Sequence, residues 1–509
     1  MQRLGWLIVL VACGELGPLD VKTDHGVVRG SDDGNGVRSF LGIPYAAPPI
    51  GSNRWRPPQP AADWDGVRDA TLLGQKCPQN TVITAGGGNE DCLFLNVWTP
   101  SPQPVNAPVM VWIHGGAFVF GSGGDAFYAG SELARRHGVV VVTINYRLGG
   151  LGFLAHPELS AEDPDHPASG NYGLMDQLAA LEWVHRNIAE LGGDPDRVTL
   201  FGESAGGYST CLHYATATED LFYAAISESG ACAATALEQP RAQAEADGVA
   251  LATKLGCSDI ACMRGKSDYE ILDATALPPI AQQLPGGFFY AEPPKNTLPN
   301  VDGVVLPASV EMLLATRGGR PLIVGNNANE GTLFHSTILS NAIKTEAEYS
   351  AALERRFGAN AQAILLRYPV NQFATPNAAL AEVSGDAFFV CPARRTVRKA
   401  VANGAPVYRY IFSRSLEQEL IADLGAFHSA EIPFVFGVDA FPLGKVGSAA
   451  PLSESMQGYW TRFAATGDPN GNDVVWPRAD ASDSHIVLDV PITTGTAYKS
   501  ELCDFWDAL

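Results

Sequence analysis

Basic residues are scarce in this 509-residue chain: 34 lysines and arginines stand against 55 aspartates and glutamates, a formal net charge of −21. So acidic a surface repels phosphate backbones and anionic membranes, which argues against nucleic-acid binding. Long hydrophobic runs are missing as well. No internal stretch approaches the roughly eighteen consecutive apolar residues that a membrane span needs. There is no fixed-period repeat, low-complexity stretch or linker-like passage. The nine cysteines lack zinc-knuckle spacing and accompanying histidine pairs, so no metal and no cofactor are expected. What remains is a chain that is 46% hydrophobic, ample for a large core. It reads as one domain, residues 13–509, with long insertions.

The N-terminus departs from that pattern. Met1-Gln2-Arg3 supplies one positive charge and Leu4 to Ala12 form a short apolar run, the layout of a secretory signal over residues 1–12. Leu10-Val11-Ala12-Cys13-Gly14 resembles the lipobox of bacterial lipoproteins, in which the cysteine becomes a lipidated first residue. The alternative is an ordinary signal cleaved among these small residues. Either way the expectation is export: secreted, periplasmic or lipid-anchored, in a compartment that permits disulfides.

Val21 to Gly30 and Val37 to Ile43 alternate apolar and polar residues about a Gly-rich turn, which predicts a small antiparallel hairpin. From Val109 the pattern changes. Val109–Ile113, Val139–Ile144, Val198–Phe201, Leu322–Val324 and Val407–Phe412 are continuous apolar runs, as expected of strands buried on both faces. Between them Leu174, Leu178, Leu181, Val184 and Ile188 recur at helical spacing, ended by Gly192-Gly193-Asp194-Pro195. Alternating buried strands and amphipathic helices predict an α/β fold with a mostly parallel sheet and helices on both faces.

Gly202-Glu203-Ser204-Ala205-Gly206 is G-x-S-x-G between a strand and a helix. In that setting only glycine fits two positions either side of the serine, and the tight turn lifts the hydroxyl above the sheet. The helix that follows aims its N-terminal dipole at developing negative charge. A serine nucleophile needs an oxyanion hole, and His114-Gly115-Gly116-Ala117 leaves strand Val109–Ile113 where the hydrolase pattern requires it. Gly116, Ala117 and Ala205 are the candidate N–H donors, with Gly115 and Glu203 in support. For the base, ten histidines compete. His25, His137, His166 and His485 read as polar surface positions and His185 as helical, which leaves His428 among the better candidates. Glu330 is one of many carboxylates, but it gives the order Ser…Glu…His that this fold uses.

At this point the chain resembles a known family nearly end to end: the type-B carboxylesterase/lipase family, which includes cholinesterases and bacterial para-nitrobenzyl esterases. The marks are Phe40–Ala46, Glu90–Asn96, Trp112–Phe118, Asn145–Leu148, Gly170–Gln177, Gly193–Pro195 leading into Gly202–Gly207, Thr466–Asn470 and Trp476-Pro477. The resemblance implies an α/β-hydrolase fold and a serine carboxylesterase that acts on small-molecule esters through an acyl-enzyme. It assigns Glu330 as the acid, His428 as the base and Ser229 as a supporting hydroxyl. It further implies three disulfides: Cys77–Cys92, Cys257–Cys262 and Cys391–Cys503. Cys211 and Cys232 are left over and read most simply as buried free thiols. Pro78 to Asp91 holds no aromatic residue, where cholinesterases carry a tryptophan that stacks on quaternary ammonium. That departure argues against choline esters. A lipase acting on acylglycerols is the alternative enzyme. A non-catalytic binding homologue is the alternative from another class.

Overall fold

The computed structural model describes residues 16–509 except 80–85, 217–220, 231, 234–236, 277–294, 318, 337–338, 340, 419–420, 440–443 and 445. The proposed leader, Cys13 and residues 282–294, one of the long insertions, therefore lie outside the described residues. So does part of the Cys77–Cys92 loop.

An eleven-stranded sheet runs through the molecule. Its strands in chain order are β1 (Ser31–Asp32), β2 (Val37–Pro44), β3 (Phe94–Pro100), β4 (Ala107–Ile113), β5 (Val140–Ile144), β6 (Gly193–Glu203), β7 (Ala224–Glu228), β8 (Leu322–Asn327), β9 (Val407–Phe412), β10 (His485–Leu488) and β11 (Thr493–Gly495). Across the sheet the order is β11-β10-β9-β8-β7-β6-β4-β5-β3-β2-β1. From β10 through β5 every neighbouring pair is parallel, and the pairs outside that block are antiparallel.

The continuous apolar runs have the expected cause. In β4, Val109, Val111 and Ile113 enter one core while Met110 and Trp112 enter the other, and none of the five is exposed. Helices α1 (Tyr172–Asn187) and α2 (Ala205–Ala215) cover the first face with Leu181, Trp183, Tyr208 and Leu212. Helix α5 (Ala450–Thr466) covers the second with Met456, Tyr459, Trp460 and Phe463. Between β8 and β9 lie α3 (Pro376–Gly385) and α4 (Cys391–Ala402), and α6 (Ser500–Asp507) closes the chain. No helix of the described residues is long and apolar enough to cross a membrane.

Three expectations need correction. The opening segment is not one hairpin. Asp20–Thr23 pairs with Gly26–Arg29 in a separate small sheet, whereas β2 pairs with the short β1 and with β3, so Gly30 marks a change of sheet. His485 is not a surface residue. It is buried at the start of β10, its Nδ1 at hydrogen-bonding distance (2.9 Å) from the Asp483 carbonyl. Cys211 and Cys232 are not free thiols. Their Cα atoms lie 5.5 Å apart, where α2 passes the segment after β7, and the structure bonds them. The other three bridges pair as the resemblance implies.

Candidate active site

Strand β6 delivers Ser204 into a turn with φ 57° and ψ −123°, a conformation that L-residues rarely hold. The flanking glycines are steric necessities. A Cβ on Gly202 would lie 2.6 Å from the Ile113 carbonyl oxygen, and one on Gly206 would run into that same oxygen. The end of β4 thus sits directly beneath the turn. Gly115 touches it as well: a Cβ there would meet the Glu203 carbonyl oxygen at 2.8 Å and Ser204 Cβ at 3.1 Å. The HGGA loop and the serine turn therefore form one surface.

That loop is held in an uncommon shape, with φ of +104° at Gly116, 52° at Ala117 and 62° at Phe118. Its anchors come from several directions. Tyr146 donates its hydroxyl to the His114 carbonyl at 2.9 Å and stacks on the His114 ring. Burial pushes the His114 imidazole down to about 4. Gln79, inside the Cys77–Cys92 loop, both accepts from the N–H of Gly121 and donates to its carbonyl. Among the described residues the N–H groups of Gly116, Ala117 and Ala205 have no recorded partner. At Ala205 the reason is general, because the first turn of a helix leaves its N–H groups without internal acceptors.

Glu330 and His428 come from the C-terminal ends of neighbouring regions: Glu330 follows β8, and His428 lies in the long passage after β9. His428 Nδ1–H donates to Glu330 Oε2 at 2.6 Å. The other carboxylate oxygen accepts from Ser229 Oγ at 2.6 Å and from the Asn327 N–H at 2.7 Å. The Glu330 carboxylate is therefore fixed at both oxygens. On the far side of the ring, His428 Nε2 stands 3.1 Å from Glu203 Oε1 but not in line for a hydrogen bond, and it makes none among the described residues. Ser429 Oγ donates to that same Glu203 oxygen at 2.7 Å. Burial opposes charge on His428, yet Glu203 and then Glu330 outweigh it, so the imidazole is held above its ordinary value.

Two further buried carboxyls went unnoticed in the sequence. Burial pushes Glu228 up to about 8, although Trp460 Nε1–H donates to it at 2.7 Å. Burial, together with Glu203, Glu228 and Glu330 nearby, raises Glu431 well above the ordinary carboxyl range. Asn327 donates to Glu431 and to the Phe427 carbonyl, which ties the His428 passage to the end of β8. Their one signal is position: Glu228 precedes Ser229, and Glu431 stands at the end of the turn that begins at His428.

The residues so assembled pair a histidine with a fixed carboxylate, set its other ring nitrogen beside Glu203, next in sequence to a strained serine, and leave a set of N–H groups unengaged among the described residues. The model of the carboxylesterase family matches residues 18–506. The chain is 39% identical over 481 residues to fumonisin B1 esterase of Sphingopyxis macrogoltabida, covering 90% of this chain and 84% of that protein. It is 36% identical over 498 residues to para-nitrobenzyl esterase of Bacillus subtilis, covering 94% and 97%. A solved PNB esterase superposes with a TM-score of 0.83 at 34% identity, covering 96% of this chain and 99% of that one.

Proposed function

The chain belongs to the carboxylesterase family and is a carboxylic-ester hydrolase of α/β-hydrolase fold, and from that premise we propose that Ser204, His428 and Glu330 are its catalytic triad. Ser204 Oγ attacks the ester carbonyl while its proton passes to His428 Nε2. Glu330, bonded to Nδ1, orients the ring and stabilises the imidazolium. The N–H groups of Gly116, Ala117 and Ala205 receive the oxyanion. The imidazolium then protonates the departing alcohol, leaving an acyl-serine. Water, deprotonated by the same histidine, attacks in turn and releases the acid. Losing one oxyanion donor typically costs about 10²–10³ in rate.

The observation that carries this reading is the two-sided setting of His428. One ring nitrogen is bonded to Glu330, while the other lies beside Glu203, next in sequence to Ser204, without a hydrogen-bond partner among the described residues. All three triad residues are present, which disfavours a non-catalytic homologue. The named activities of the relatives favour small-molecule esters over emulsified acylglycerols. We further take residues 13–509 as one domain behind a cleaved leader, exported and held at a membrane through a lipid on Cys13. The four disulfides support export.

The test is Ser204→Ala in the purified enzyme. Turnover of p-nitrophenyl esters falls by about 10⁴–10⁶, the usual loss for a triad member, with an unchanged circular dichroism spectrum. Retained turnover contradicts the assignment.

A further inference from the structure

Directly after His428 a serine occupies a position that suits glycine. Ser429 has φ 75°, in the left-handed region that residues with a Cβ seldom hold. Strain of this kind persists where the surroundings over-determine it, and it gathers at active sites. Here the neighbours supply the reason. The Ala430 N–H donates to the Phe427 carbonyl at 3.0 Å and the Ile432 N–H to the Ser429 carbonyl at 3.3 Å, so the turn around His428 is tied on both sides. Within it the half-buried Ser429 hydroxyl donates to Glu203 Oε1 at 2.7 Å. That oxygen is the one 3.1 Å from His428 Nε2. The other oxygen of Glu203 lies against the oxyanion loop, where a Cβ on Gly115 would meet it at 2.9 Å. The carboxylate is thus held from two sides.

That placement needs a restraint. With Nδ1–H given to Glu330, a neutral His428 presents a lone pair at Nε2. An ionised carboxylate 3.1 Å away presents another. Two acceptors so close repel, and uptake of one proton turns the repulsion into an imidazolium–carboxylate ion pair. In that state Nε2 cannot accept the Ser204 proton. A donor on Glu203 Oε1 opposes the closure, because the hydroxyl proton occupies one lone-pair direction of that oxygen and offsets its charge.

We propose that Ser429 is a positioning residue: its hydroxyl holds Glu203 where the carboxylate steadies the imidazolium of the transition state without capturing His428 Nε2 in a resting ion pair. The proposal rests on His428 being the catalytic base. Other charges reach this pair from several elements. Glu330 follows β8, Glu228 ends β7, Glu431 closes the turn that begins at His428, and the phenols of Tyr128 and Tyr410 also feel Glu203. Burial raises Glu203 above the ordinary carboxyl value, while His428 and then the Ser429 hydroxyl pull it down.

Profiles of kcat/KM against pH on a p-nitrophenyl ester test this. Ser429→Ala removes the hydroxyl and keeps the strained backbone, whereas Ser429→Gly removes both. Each raises the acid-limb midpoint by about half a unit to one unit, a part of what one hydrogen bond to a charged group is worth. One unit below the wild-type midpoint kcat/KM then falls about three- to tenfold, and on the alkaline plateau it stays within about twofold. Ser429→Gly melts no lower than Ser429→Ala, which separates the shift from lost stability. In a Glu203→Gln background Ser429→Ala moves the midpoint no further. A midpoint unmoved or lowered by either substitution, a loss equal at every pH, or the same shift without the Glu203 charge overturns the positioning role. His428→Asn distinguishes this from failure of the base itself. Wild-type turnover in that variant sinks both readings, whereas an inactive His428→Asn beside an unmoved Ser429→Ala limb defeats Ser429 alone.

Discussion

At His428 two carboxylates oppose the cost of burial, and the sign of the outcome is measurable. As the proposed base, this ring works only when neutral. Its value is raised above the ordinary 6.5, so the rate is full at higher pH and is lost as pH falls through a midpoint above 6.5. Burial favours the neutral ring, and Glu203 is the larger of the two opposing charges. Glu203→Gln therefore moves the midpoint of kcat/KM against pH towards acid, and an unmoved or higher midpoint refutes this account of the ring. How far such residues were legible differs sharply. Ser204 was readable because the turn's sterics print glycines at fixed offsets. His428 and Glu330 were not, because they meet through loops at the ends of separate strands, and loops carry no periodicity. Only the family resemblance selected them. His485 was misread because a polar neighbourhood in sequence, Asp483 and Ser484, conceals a four-residue strand whose first side chain points inward.

At the scale of elements, the contact between β4 and the serine turn is the tightest feature of the site. Gly206→Ala has no space for its methyl, because the Ile113 carbonyl oxygen occupies it. Overpacking of this kind costs about 1–3 kcal/mol and displaces the very backbone that carries Ser204 and the Ala205 N–H, the proposed nucleophile and oxyanion donor. The variant melts at lower temperature and loses turnover together. A variant with wild-type melting and wild-type kcat would show that the turn tolerates what its geometry forbids. The central strands were legible because burial on both faces leaves unbroken β-branched runs. The edge strands Ser31–Asp32 and Thr493–Gly495 were not, being too short to show any period.

For the whole molecule, four disulfides point to export, which the proposed leader before Cys13 would direct. If the leader is cut at Cys13 and the cysteine lipidated, more than one acyl chain holds the enzyme at the membrane, as stable anchoring requires. Full-length protein expressed in a bacterial host then fractionates with membranes and carries an N-terminal mass increment, while Cys13→Ser shifts to the soluble fraction. Wild-type protein that is soluble and free of lipid defeats the anchor and leaves an ordinary secreted enzyme. The central claim, that a single activated serine carries the ester chemistry, is tested most directly by covalent labelling. An organophosphate or sulfonyl fluoride, followed by peptide mass spectrometry, should place one adduct on Ser204 in proportion to lost activity, and none in Ser204→Ala. Full inactivation with Ser204 unmodified, or an untouched enzyme that still turns over, would contradict the account.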